Sequence, residues 1–555
     1  MEKASVPTGL FVRQASGLVR DVSMANALFF NIAAFVGTAI GWAVAFYALG
    51  PEWQGLGISA FAWMAILTGI FCYFLGMIFA SLTTAMPRSG GDYVFTSRII
   101  SPFLGWIESW TLVGSALTII GFEIIVASHN VQLTAILLGV AFPSSVFHNA
   151  PNWLQDNTSK AIVGVIILAV IFGISILRTR TFHKVVTGLT IFAIVSVAIS
   201  FFGAFFITPQ AVNNALPALG TSSAQITSAA SKAGFAIGNP DFSFNPGLIG
   251  LAGLISVVLF QFIGFQFSSY IAGEVKGNVK RTVMFAVIGA LLFAVFMNSL
   301  YQDVLGNHFG FQLTNAWGFL YWFQGAAPLN NQPPFTPVIA TAVYPGAWPL
   351  WLIVAVGNTV LNVLLCPVYA IFLSRIVLAW SLDRQVPEWF SVVNERTNAP
   401  LRVIVLAILL GAVFFLLTFF GFSLASTTFF GILLAGLTWI LPGLNAILIP
   451  YRRPDLFQLT NNTRSFLGLP RLVWFGILWL IFIIPVYAAA FVYPVVQGIQ
   501  NQGGAYLSLS TSNTSGIGWA LVFIAVGIVI YFVMRFVNAT RGINVKMIYQ
   551  ELPPD

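Results

Sequence analysis

Stretches of about twenty consecutive apolar residues recur along this chain, and they leave it few folds to choose from. A helix rising 1.5 Å per residue needs about 20 such residues to cross the hydrocarbon of a bilayer. The stretches fall near 22–49, 56–85, 102–141, 161–177, 184–207, 248–272, 283–305, 346–380, 401–421, 424–450, 472–496 and 515–537. Lipid offers the backbone no hydrogen-bond partners, so each stretch is predicted to be a helix that pairs its own N–H and C=O groups. The fourth is short. The third is long enough to tilt, or to break near Ser128-His129-Asn130. Only 7% of the 555 residues are charged, against roughly 25% in soluble domains. Lipid must be the main solvent, and we expect an all-α integral membrane protein with about twelve spans.

The distribution of cations sets an orientation. With the N-terminus inside, 22 of the 24 Lys and Arg residues fall on inner segments, and only Lys160 and Lys232 fall outside. Such a bias predicts that both termini face the cytoplasm. The net charge of +8 is therefore a topology signal. The cations are spread over many loops and form no nucleic-acid surface. The expected organisation is an inner N-terminal segment (1–21), a core (22–450) with halves at 22–207 and 248–450, two added spans (472–537) and an inner tail (538–555). The segment 1–22 has no apolar run followed by small residues, so no cleavable signal is expected. The outer segments 144–159, 208–246, 306–345 and 497–516 are polar and almost uncharged, and read as partly ordered covers. Asn157 and Asn513 lie in N-x-S/T patterns there.

Chemistry is sparse. Cys72 and Cys366 sit in apolar runs without CxxC spacing, and read as packing residues. His129, His148, His183 and His308 are scattered, so no metal or organic cofactor is expected. A membrane-embedded enzyme would need a His, Asp or Glu cluster at one face, and a channel would need a continuous polar lining. The sequence offers neither.

Two spans carry glycine deep in the membrane. Phe35-Val36-Gly37-Thr38-Ala39-Ile40-Gly41 places small residues about midway through the first. Phe262-Ile263-Gly264-Phe265-Gln266 does so in the sixth. The first span runs outward and the sixth inward, so these positions match in two inverted halves. Unpaired backbone is tolerated at such depth only where it lines a cavity, and paired interrupted helices point to a transporter's binding site. A half-helix starting after Gly37 would offer N–H groups and a positive dipole end to a carboxylate. Carbonyls near Phe260 and Ile263 would accept from an ammonium group. A zwitterion fits both. The competing reading of Gly37-x-x-x-Gly41 is a close helix-packing face.

Five segments resemble the amino acid–polyamine–organocation (APC) permease superfamily. Gly37-Thr38-Ala39-Ile40 resembles its first-helix G-S/T-G-I/V motif, with Ala39 in place of the second Gly. Phe260 to Gln266 resembles its aromatic-x-F-x-G-x-E pattern, with Gln266 where many members carry Glu. Glu274-Val275-Lys276-Gly277-Asn278 resembles E-x-K-N-P without the Pro. Pro87-Arg88-Ser89-Gly90-Gly91-Asp92-Tyr93 resembles P-x-x-G-G-x-Y. Asp383 to Phe390 with Asn398-Ala399-Pro400 resembles the loop between spans 8 and 9. The resemblance implies a LeuT-type fold, a five-plus-five inverted repeat with discontinuous helices 1 and 6. It implies plasma-membrane transport of amino acids by symport with H⁺ or Na⁺, or by exchange; an amine, polyamine or other organocation is the alternative substrate. By position, the substrate-binding residues would be Phe35, Gly37, Thr38, Ala39, Ile40, Phe260, Ile263, Gly264 and Phe265, with Phe260 the aromatic lid. Some proton-coupled relatives carry a Lys in span 5; no Lys lies between Lys184 and Lys232 here, so that device is not expected.

Glu123 is a carboxylate in mid-span. Its alternatives are a proton-coupling site and a structural acid bonded between helices. Glu108 and Glu274 lie near inner span ends, as gate ion pairs or as solvated ends. Arg88 and Gln266 complete the coupling or gating candidates. Asn358 and Asn362 share a helix face at i,i+4.

Overall fold

The computed structural model describes residues 17–35, 54–55, 58–149, 157–235, 255, 258–417, 424–502, 517–543 and 548–550. The helices at the expected span positions are labelled α1 (Met24–Phe35), α2 (Ala60–Ala85), α3 (Pro102–Ala141), α4 (Asn157–Ser175) and α5 (Thr179–Ala204). A helical turn at 258–262 is α6. Then come α7 (Val279–Phe296), α8 (Trp348–Leu382), α9 (Leu401–Leu417), α10 (Leu424–Arg452), α11 (Arg471–Tyr487) and α12 (Ile517–Thr540). Among the described residues, eight helices are long and apolar enough to cross a membrane, and Met24–Ala34, Leu401–Leu417 and Arg471–Tyr487 are shorter apolar helices.

Several starts are readable locally. Ser101 precedes Pro102 and accepts the Leu104 N–H on its Oγ at 3.2 Å; a Ser cap followed by Pro is a favoured way to open a helix. Ser59 and Asn278 cap α2 and α7 in the same manner. The third span does not break at Ser128-His129-Asn130: α3 is continuous through it. Ser128 Oγ donates to the Ile124 carbonyl at 2.8 Å, and Asn130 reaches across to α8. Both polar groups find partners without opening the helix.

α2 packs on α7 and α3 on α8, while α3 also lies against α9 and α10 and α5 against α8; α1 meets the segment after α6 through Asn31. Lipid supplies no hydrophobic drive between helices, so close approach depends on small residues. A Cβ on Gly121 would lie 2.5 Å from Phe414 Cβ, and one on Gly411 would lie 2.4 Å from Ile120 Cγ2. The α3–α9 seam needs both glycines.

The outward faces of α4, α5, α9 and α12 are apolar and bare, as at Ile166, Phe202, Leu409 and Phe536. A water-facing surface would not be built this way. The chain is a multi-pass helical membrane protein. Short helices occupy the two long connections, Pro209–Ala215 and Ser223–Lys232 after α5, Phe311–Phe319 and Thr336–Val343 before α8.

Candidate functional site

Helix α6 stops at Phe262. The next four residues form a turn, followed by a single 3-10 turn at Phe267–Ser269. Gly264 has φ +109°, a conformation that side chains disfavour. A Cβ there would meet Ala34 Cβ at 2.6 Å and the Ala34 carbonyl carbon at 3.0 Å. Glycine is required twice over, for the turn and for the approach of α1.

The backbone freed by this stop is rebonded. Ile263 N–H donates to the Phe260 carbonyl at 3.3 Å, and Phe267 N–H to the Gly264 carbonyl at 3.0 Å. Asn31 of α1 does the rest. Its Nδ2 donates to the Phe265 carbonyl at 2.6 Å and to Ser268 Oγ at 3.1 Å, while Ser268 N–H donates to Asn31 Oδ1 at 2.6 Å. A buried amide with both ends engaged locks the two segments. Further along, Val22 N–H donates to the Glu274 carbonyl and Lys276 N–H to the Val22 carbonyl, both at 2.9 Å. α1 and the α6 segment are thus tied together as one unit.

Among the expected substrate contacts, Phe260, Ile263, Gly264 and Phe265 come together here, all buried. Phe35 ends the described part of α1. Gly37, Thr38, Ala39 and Ile40 lie outside the described residues. The Phe260 carbonyl, expected to face an ammonium group, already accepts one backbone N–H and keeps its second lone pair.

The Phe260 ring meets the edge of Phe122 on α3, at 6.3 Å between centroids and 87° between planes. Phe122 and Val126, one turn apart, form a small apolar cluster separate from the main core, with Tyr321, from the connection before α8, packed on it. Next to Phe122, Glu123 is fully buried and accepts from Asn362 Nδ2 on its Oε2. Asn362 Oδ1 accepts from Asn130 at 3.0 Å. Among the described residues, Glu123 Oε1 has no hydrogen-bond partner. Of the two asparagines sharing a face of α8, Asn362 therefore joins α3; Asn358 is buried with both amide atoms unsatisfied by any described residue. The same holds for Oε1 of the buried Gln266. His129 Nδ1 lies 3.3 Å from Tyr321 Oη.

At the expected inner end, Glu274 is no solvated helix end. It pairs with Arg375 of α8, Nε to Oε1 and Nη2 to Oε2 both at 2.7 Å, and both side chains are buried. Glu108 is likewise fully buried, in a pocket with Asp92 and Thr96, which corrects its reading as a solvated end. Arg88 turns back on its own loop, with Nη1 3.5 Å from the Pro87 carbonyl. The turn after it is wedged between helices. A Cβ on Gly90 would lie 2.7 Å from Ala379 of α8, and one on Gly91 would lie 2.3 Å from the Tyr270 ring.

Asn31 and Arg375 fall outside the motifs, although each leaves a signal: a polar side chain inside an apolar run. Among the described residues no group of three or more His, Cys, Asp or Glu is placed to hold a metal ion.

Residues 28–507 match the model of the amino acid permease family. The chain is also similar to the branched-chain amino acid permease BcaP of Lactococcus lactis subsp. cremoris, at 24% identity over 248 residues, 44% of this chain and 48% of that protein. The match thus spans about half the length of the curated relative.

Proposed function

We infer that this chain, which belongs to the amino acid permease family, is a secondary transporter that moves amino acids across the plasma membrane by alternating access. The observation that carries the reading is the stop of α6 at Phe262, with Gly264 pressed on Ala34 and Asn31 bridging the two segments. A helix stop held rigid in this way, with the Phe260 carbonyl keeping a lone pair, suits the amino group of a small zwitterion. The N–H groups of Thr38 and Ala39 take the carboxylate, and carbonyls of Phe35, Phe260 and Ile263 take the amino group.

The substrate side chain is apolar. Phe122, Val126, Phe260 and Tyr321 form the surface it meets, and a branched aliphatic chain suits such a wall. The similarity to a branched-chain amino acid permease supports this choice. Glu123 is the coupling residue, a buried carboxylate one position from Phe122 with one oxygen on Asn362 and the other unsatisfied by the described residues. The Glu274–Arg375 pair closes the inner gate, because it joins the α1–α6 unit to α8. The architecture is twelve spans with a five-plus-five inverted repeat, both termini in the cytoplasm. The packing of α2 on α7 and of α3 on α8 supports it.

An organocation is the second reading, favoured by Glu123 Oε1, which is positioned to accept from an amine. Uptake of labelled amino acids and amines into proteoliposomes, with H⁺ and Na⁺ gradients imposed separately, tests both. Accumulation of branched aliphatic amino acids is expected; movement of amines alone would favour the second reading.

A further inference from the structure

α12 stands outside the transport core. It lies along α3, with Trp106 Nε1 donating to the Gly527 carbonyl and Trp110 Nε1 to the Phe523 carbonyl, both at 2.8 Å. Yet its last turns touch the core, where Asn538 Nδ2 donates to the Arg384 carbonyl at 2.8 Å, and beyond the helix Ile548 and Tyr549 are both buried.

Tyr549 sits where the glycine loop meets the end of α8. Gln385 Nε2 donates to its Oη at 2.5 Å, the Tyr93 Oη is 3.4 Å away, and Arg98 Cζ lies 5.1 Å from its ring centre. Arg98 and Tyr93 both bind Asp383: Nη2 to Oδ1 at 2.8 Å, and Oη to Oδ2 at 2.9 Å. Tyr93 and Arg98 belong to the short helix Asp92–Ile99, which starts directly after the Gly90-Gly91 turn. That turn touches Tyr270 of the α6 segment on one side and Ala379 of α8 on the other, and Gly90 N–H donates to the Tyr270 carbonyl at 3.1 Å. Tyr549 therefore braces, from outside, the loop through which the α1–α6 unit is held to α8.

We propose that Tyr549 is a latch on the inner gate. While Tyr549 covers the Arg98–Asp383 pair, the loop stays pressed on α8 and the inner path stays shut; release of Tyr549 frees the loop and lets the α6 segment move away. The proposal rests on the alternating-access reading and on the placement of this face toward the cytoplasm. A ring on a guanidinium, the hydrogen bond from Gln385 and a long one to Tyr93 form a contact weak enough to open in each cycle. Displacement of Tyr549 would raise the inward-open fraction.

The test is the alkylation rate of Ser269→Cys, a fully buried position on the α6 segment, in a full-length Cys72→Ala/Cys366→Ala background. Protein in proteoliposomes is exposed to an impermeant maleimide from the inner face, without substrate. Adding Tyr549→Ala is expected to raise the rate about tenfold, and Tyr549→Phe, which keeps the ring over Arg98, by less. An unchanged rate in Tyr549→Ala, at unchanged thermal unfolding, would overturn the latch. So would an equal rise at Ser175→Cys, buried at the end of α4, because that is general loosening. Since no substrate is present, failure here leaves the transport reading to be judged by uptake into the same vesicles.

Discussion

Arg375 and Glu274 face each other with two parallel hydrogen bonds of 2.7 Å, both side chains fully withdrawn from solvent. One belongs to α8 and the other to the segment that follows the interrupted helix. Paired geometry of this kind is rigid, and a buried charge left without its partner is costly. On the proposed reading, the two part when the inner side opens.

Glu274→Ala should destabilise the protein by about 3–5 kcal/mol, because it strands the Arg375 guanidinium. The double variant Glu274→Gln/Arg375→Met should recover most of that loss while leaving the inner side more accessible. Thermal unfolding of purified protein and alkylation of an inner cysteine read the two effects separately. A single variant as stable as wild type would contradict the pairing.

Gly264→Leu and Gly37→Leu should insert normally and lose substrate binding. At Gly264 the reason is geometric: a Cβ would lie 2.6 Å from Ala34 Cβ, at φ +109°. Membrane fractionation with equilibrium binding checks both. Wild-type affinity in these variants would remove the glycines from the site.

Glu123→Gln keeps an acceptor for Asn362 and removes the ionisable group. Exchange of unlabelled for labelled substrate should persist, while accumulation driven by an imposed pH gradient should disappear. Gradient-driven uptake at the wild-type level would show that Glu123 is a structural acid.

Phe122→Ala should weaken binding of large apolar amino acids by about 1–3 kcal/mol and spare alanine, since it removes one wall of the apolar cluster. Competition assays over amino acids of increasing size measure this. An equal loss for every amino acid would place Phe122 in scaffold packing.

The helical architecture is legible in the sequence because lipid leaves the backbone little choice. The stop near Gly264 is legible too, since a glycine between the bulky Ile263 and Phe265 weakens a helix unless the chain turns there. Arg375 is harder to read. In the sequence it is one more cation near an inner span end; its partner Glu274 is 101 residues away. Asn31 and Ser268, 237 residues apart, are likewise joined only by the fold. Glu108 misleads for a related reason: position near a helix end suggests solvation, but the short helix Asp92–Ile99 packs over it. Ser128-His129-Asn130 looks like a break because polar residues interrupt an apolar run, while in three dimensions they have partners.

Transport by the proposed route requires backbone groups near Gly37 and Gly264 to grasp both charged ends of one small molecule. Equilibrium binding of leucine and of isopentylamine, its counterpart without the carboxylate, to wild-type protein and to Gly264→Leu tests this most directly. Leucine should bind wild type at least about tenfold more tightly than the amine, as loss of charge-assisted hydrogen bonds requires, and should not bind Gly264→Leu. Equal affinity for the two ligands, or leucine bound undiminished by Gly264→Leu, would contradict it.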